Sequence, residues 1–135
     1  MSDTPLLELR DITKSFGSVQ ALSEVDVGRW AGLTRREVEE RFPEGFHNWI
    51  AGGAGWEDGE TYQAMALRVL QAIRSIAESH ADGHVLVVSH GGPIRAVHAA
   101  AADMTVEDYR RLRPVEPNAR LSAVAVENGR LTRLD

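Results

Sequence analysis

The sequence contains no cysteine. That excludes disulfide staples, thiol nucleophiles and cysteine-ligated zinc, and it agrees with a reducing compartment. Basic charge is also scarce: 15 lysines and arginines stand against 20 aspartates and glutamates, for a net charge of −5. Binding to a phosphate backbone normally needs a basic face, so no nucleic acid partner is expected. No apolar run approaches the roughly 20 residues of a membrane-spanning helix, and Met1 to Gly17 lacks the apolar block of a signal peptide. A cytoplasmic protein with no membrane partner is therefore expected. Lys14 is the only lysine, and the other 14 basic residues are arginine. We read that bias as base composition of the coding DNA and give it no functional weight. What remains is a chain of 135 residues, 43% hydrophobic and 26% charged, as in an ordinary globular domain.

The chain is organised around the stretch from Gly83 to Met104. Val85-Leu86-Val87-Val88 has the length and β-branched composition of a strand buried on both faces. It ends in Ser89-His90-Gly91-Gly92. Pro93 suits the first position of a helix that continues through Ile94, Val97, His98 and Ala101. His90 is thus placed at the carboxyl end of a strand, beside a helix N-terminus. Open α/β sheets bind ligands at that edge, and the unpaired N–H groups there suit a phosphate. The plain alternative is a glycine turn after a strand.

Elsewhere a strand is predicted over about Leu6 to Asp11, with a turn around Ser15 to Ser18 and an irregular, glycine-punctuated segment from Ala21 to Leu33. Thr34 with Glu37 forms a capping-box pattern opening a helix to about Arg41, stopped by Pro43. Phe46 to Gly59 reads as a loop with one short helical turn at most. Thr61 to His80 is the clearest helix, with Met65, Val69, Ala72, Ile73, Ile76 and Ala77 on one apolar face. Thr105 with Asp108 starts a short helix ending before Pro114. Leu121 to Glu127 and Arg130 to Leu134 alternate as strands joined by Asn128-Gly129, a two-residue hairpin signal. The fold class is α/β, and Leu6 to Ile12 is expected to pair beside Val85 to Val88.

Two resemblances follow from these residues. Leu22-Ser23-Glu24-Val25-Asp26-Val27-Gly28-Arg29-Trp30-Ala31-Gly32, then Asp58-Gly59-Glu60-Thr61 opening a helix that contains Arg68, then Val85 to Gly92, then Asn118 before the last strands, together resemble the later part of a histidine phosphatase superfamily domain of the phosphoglycerate-mutase-like group. That resemblance implies a partial three-layer α/β/α domain with a mixed sheet and a C-terminal β-hairpin over residues 25–135. Leu6 to Leu22 is similar to the opening strand of an ABC-transporter ATP-binding subunit, in which the aromatic matching Phe16 stacks on adenine. On this reading residues 1–24 form a separate N-terminal strand and turn, and the chain looks like a junction of two genes. No G-x-x-x-x-G-K-[ST] phosphate loop follows, so ATP hydrolysis is not expected.

The phosphatase resemblance implies a catalytic and phosphate-binding role for His90, a backbone N–H donor at Gly91, a general acid at Glu24 and a substrate-orienting side chain at Asn118. Each has a structural alternative: a turn for His90, Gly91 and Asn118, and a solvated loop carboxylate for Glu24. Glu60 and Arg68 match the family pattern, but a glutamate in a first helical turn is common dipole chemistry. Ala31 stands where many members have glutamate. His47, His80, His84 and His98 lack ligand spacing, so neither a metal nor a cofactor is expected. The family's opening Arg-His-Gly, which carries the phosphorylated histidine, is absent from these residues, as is the second phosphate-gripping arginine that follows it. The resemblance implies a covalent phosphomonoester hydrolase or mutase whose activity these losses put in question. The readings kept beside it are a non-catalytic module binding a phosphorylated small molecule or a protein, including a second copy paired through an exposed sheet edge, and a transporter fragment.

Overall fold

The computed structural model describes residues 19–135, so the expected strand over Leu6 to Asp11, its pairing, and the turn after it lie outside the described residues. Strand β1 is Val19–Ala21 and β2 is Leu86–Val88. They run parallel, with Val19 opposite Leu86 and Ala21 opposite Val88. The final hairpin pairs β3, Val124–Glu127, with β4, Arg130–Arg133, in antiparallel register, Val126 opposite Leu131. Its two-residue turn has both central residues at positive φ, Asn128 at 52° and Gly129 at 79°, as the Asn-Gly signal requires. Five α-helices complete the α/β architecture: α1 Arg35–Arg41, α2 Pro43–Ile50, α3 Tyr62–Ser79, α4 Gly91–Ala101 and α5 Val106–Leu112.

Three of these helices open on threonine caps, two of them, at Thr34 and Thr105, read from the sequence. The side-chain oxygens of Thr34, Thr61 and Thr105 accept hydrogen bonds from the backbone N–H of Glu37, Ala64 and Asp108. Pro43 ends α1 as expected, but it also sits in the first turn of α2, where its missing N–H costs nothing. The segment read as a loop from Phe46 is therefore helical to Ile50 and irregular only beyond it. Helix α4 likewise begins two residues earlier than Pro93 suggests, at Gly91, with His90 as its N-cap.

The core lies among the five helices, Val38 of α1 and Phe46 of α2 included, and the segments carrying Trp30 and Trp56. Met65 and Val69, one turn apart on α3, are completely buried. Trp56 packs edge-on against Trp30 and Tyr62, both with ring centroids 5.5 Å away. Strand β2 is not buried on both faces as its composition predicts. Leu86 is 50% exposed because β2 has β1 on one side and, among the described residues, no strand on the other. A groove of about 1040 Å³ separates it from β3, walled by residues of α3 such as Ile73 and of α4 such as Val97. The mixed sheet is present as two separate two-stranded ladders. Arg74 of α3 ties the hairpin across that groove, its Nε donating to the Gly129 carbonyl at 2.9 Å.

Truncating the buried Met65 to alanine should lower the unfolding free energy by about 2–5 kcal/mol in urea titrations. Leu67→Ala, at a position 64% exposed on the same helix, should change it by less than about 0.5 kcal/mol. Equal losses would contradict this placement of the core.

Candidate functional site

At the end of β2 the chain passes through Ser89 and His90 into α4. His90 is exposed and has extended backbone, φ −116° and ψ 171°, and its side chain makes no capping hydrogen bond. The first N–H groups of an α-helix have no partner within the helix. Those of Gly91 and Gly92 therefore stand beside an imidazole that is not used to cap them. Ile94, by contrast, donates back to the His90 carbonyl at 3.1 Å.

Glu24 meets this helix end directly. A Cβ built on Gly92 would collide with Glu24 Oε1, so the absence of a side chain at position 92 is what admits the carboxylate. The same oxygen accepts the Val25 N–H at 2.8 Å, and the side chain stays exposed. The structure thus brings together three sequence-predicted site residues, His90, Gly91 and Glu24. Asn118 lies in an exposed turn at residues 118–119, with no side-chain hydrogen bond among the described residues.

What holds Glu24 there is a clamp. Arg68 Nε and Nη2 donate to the two carboxylate oxygens of Glu60 at 2.7 and 2.9 Å, a bidentate pair. Nη1 and Nη2 also donate to the carbonyls of Ser23 and Glu24, at 3.1 and 3.0 Å. Glu60 in turn fixes Asp26, accepting its N–H at 3.3 Å and donating its own to the Asp26 carbonyl at 2.7 Å. Leu22 donates its N–H to the Val88 carbonyl at 3.1 Å and accepts from Ser89 Oγ at 2.9 Å, stitching the loop to the end of β2. Gly28, at φ +55°, completes the fit, because a Cβ there would strike Asp58. The Arg68 guanidinium holds the Glu60 carboxyl below its ordinary value, against the opposing effect of burial.

The other histidines lie elsewhere in the chain. His98 is 3% exposed, with Nε2 2.7 Å from Ser122 Oγ. Burial first, then Arg133, lowers its pKa. Among the described residues no group of three metal-ligating side chains is placed to hold an ion.

Sequence reasoning missed the carbonyl contacts of Arg68, and it also missed a convergence of Arg95, Arg110, Arg111 and Arg113 on one cavity. The cluster at 110–113 was visible as a spacing but was absorbed into the general arginine bias.

The chain matches the profile of the histidine phosphatase superfamily, branch 1, over residues 8–134, and it belongs to that superfamily. The match begins at residue 8, ahead of residues 25–135, to which the sequence reading assigned the phosphatase-like domain. Over 88 residues the chain is 33% identical to phosphoserine phosphatase 1 of Hydrogenobacter thermophilus, covering 64% of this chain and 42% of that protein. It is 34% identical over 83 residues to the metal-independent phosphoserine phosphatase of Arabidopsis thaliana, covering 59% of this chain and 35% of that one. The chain thus spans less than half the length of these curated relatives. In three dimensions it resembles YhfR of Bacillus stearothermophilus, with a TM-score of 0.75 at 18% identity over 94% of this chain and 77% of that one. This likeness fixes the fold as the phosphoglycerate-mutase-like α/β fold.

Because the Glu60 pKa is lowered on folding, its pair with Arg68 stabilises fully above the ordinary glutamate value of 4.5 and is lost as pH falls through the lowered folded value. Glu60→Gln should therefore flatten the stability curve below pH 4.5, read by circular dichroism during acid unfolding. Arg68→Leu should cost about 1–2 kcal/mol at neutral pH, the usual worth of charge-assisted hydrogen bonds discounted for partial exposure. A Glu60→Gln curve that overlays the wild type would rule the clamp out.

Proposed function

We propose that the chain is a phosphomonoester-binding member of the superfamily, with the anion cradle and the acid in place and the phosphoryl-transfer step impaired. The observation that carries this reading is the meeting of His90, the unpaired Gly91 and Gly92 amides and the Glu24 carboxylate at the start of α4. Phosphoryl oxygens accept from the two amides and from a ring N–H of His90, helped by the positive end of the helix. The family pattern supports Glu24 as the acid that gives a proton to the ester oxygen as the P–O bond breaks and that oxygen takes the bonding pair.

The other half of the reaction needs a nucleophile to form the new bond to phosphorus. The family's Arg-His-Gly is absent from these residues, and so are the arginines that spread the charge of the transferring group. Removing one such electrostatic donor costs roughly a hundred- to a thousandfold in rate. Losing a nucleophile and two cations together leaves turnover near background. The names of the two curated relatives support phosphoserine as the first ligand to try, within the wider class of phosphorylated small molecules.

Phosphoserine binding, followed by calorimetry, should weaken about tenfold in His90→Ala, the equivalent of one charge-assisted hydrogen bond. Hydrolysis of a chromogenic phosphomonoester should stay at background in both proteins, with circular dichroism confirming that each is folded. Binding indifferent to His90 would sink the proposal. Turnover that disappears in His90→Ala would instead make the chain an active phosphatase with another nucleophile.

A further inference from the structure

A cavity of about 390 Å³ lies between the end of α2 and the segment that follows α5, and four arginines line it: Arg95, Arg110, Arg111 and Arg113. Such a convergence is unexpected in a chain with a net charge of −5. Like charges brought together repel, and among the described residues only Arg111 of the four has a carboxylate partner, Asp108 at 3.2 Å. Arg110 is held by the Gly53 carbonyl at 3.2 Å and by the ring faces of Trp49 and Tyr62, 5.2 and 5.6 Å from its guanidinium carbon. Those contacts position the cation without neutralising it.

Arg95 is the most telling of the four. Its Nε is buried and has no hydrogen-bond partner among the described residues. A buried donor left unpaired is destabilising, and the half-buried Arg95 cation also meets the like charge of Arg110. Burial, then the neighbouring Arg110, pushes the Arg95 pKa down, while Tyr62 and Glu24 oppose that shift. An anion in the cavity would accept from the buried donor and offset the mutual repulsion of the guanidiniums.

The position of the cavity relates it to the site at the start of α4. Arg95 follows Gly91 by four residues, so it lies about one turn along the same face of the helix, roughly 6 Å in rise. The segment after α5 also runs beside that helix end, since a Cβ on Gly91 would meet Val115 Cγ2 at 2.5 Å. Val115 adjoins Pro114, which lines the cavity. We propose that this cavity is a second anion subsite, one helical turn from the His90 cap, which takes the carboxylate or phosphate oxygens of a small polyanionic ligand. Arginine suits both, because its planar fork pairs with two oxygens at once. This reading stands on the arginines alone and does not require that His90 bind a phosphomonoester.

The test is calorimetric titration of the whole chain with citrate, which offers only carboxylates, and with inorganic pyrophosphate, which offers only phosphate. The proteins compared are the wild type, Arg113→Gln, Arg95→Gln/Arg113→Gln, His90→Ala and, as a control for loss of any exposed positive charge, Arg36→Gln. Arg113 is exposed, so its variant should fold even if the Arg95 substitution does not. The subsite predicts that Arg113→Gln weakens binding of at least one anion by about tenfold, as for loss of a charge-assisted contact. Arg36→Gln should stay within about twofold, since Arg36 is exposed, lines no part of the cavity and is paired with Glu40 at 3.1 Å. Which of the two anions binds identifies carboxylate or phosphate as the group preferred. The proposal is overturned if neither anion binds, if Arg36→Gln weakens binding as much as Arg113→Gln does, or if only His90→Ala has an effect.

Discussion

Arg68 reaches from the second turn of α3 to both oxygens of Glu60 and, with the remaining donors, to the carbonyls of Ser23 and Glu24. This one guanidinium joins two segments far apart in the sequence that would otherwise be independent loops. Glu60 extends the join to Asp26 through its carboxylate and its own backbone N–H. The loop that presents Glu24 is thereby fixed at one end to α3 and at the other, through Leu22 and Ser89, to the end of β2. A carboxylate on an unanchored loop would spend little time at the helix end. A side chain can work with its neighbours only if it is held close to them, and here the holding is done by hydrogen bonds to main-chain carbonyls.

The second constraint is the bare start of α4. Ser, Thr, Asp and Asn are the favoured capping residues, and three other helices of this chain use threonine in that role. Helix α4 has His90 there and makes no side-chain cap. No side chain caps its first amides, and the missing side chain at position 92 leaves room for the Glu24 carboxylate. An uncapped helix end costs stability, so it is a departure from the local rules that govern the rest of the chain. The convergence of arginines one turn further on is a second such departure, and the two lie along one face of the same helix.

Much of this was legible in the sequence. The threonine caps at Thr34 and Thr105, the apolar face of α3 and the Asn-Gly turn are local signals, and local signals survive folding unchanged. The Ser-His-Gly-Gly stretch placed His90 and Gly91 correctly because a strand followed by glycines leaves few alternatives. Most of the misses depend on contacts between distant segments, and one on a local ambiguity. Helix α2 was hidden because Pro43 reads equally as a stop and as a first-turn residue. The exposure of Leu86 depends on which strands flank β2, and an apolar run does not carry that information. The contact of Glu24 with Gly92 spans most of a domain in sequence, and only the family pattern hinted at it. Arg68 was visible as a motif position, but its two carbonyl contacts had no sequence signature.

The central claim is that the start of α4 is an anion cradle shared by His90, Gly91, Gly92 and Glu24. It is tested most directly by following the backbone amide resonances of the isotopically labelled chain by nuclear magnetic resonance as inorganic phosphate is added. The account predicts that the Gly91 and Gly92 amides shift first and saturably, with Val25, which is bonded to Glu24, moving alongside them. Saturable shifts confined to other segments, with the Gly91 and Gly92 amides unmoved, would contradict it.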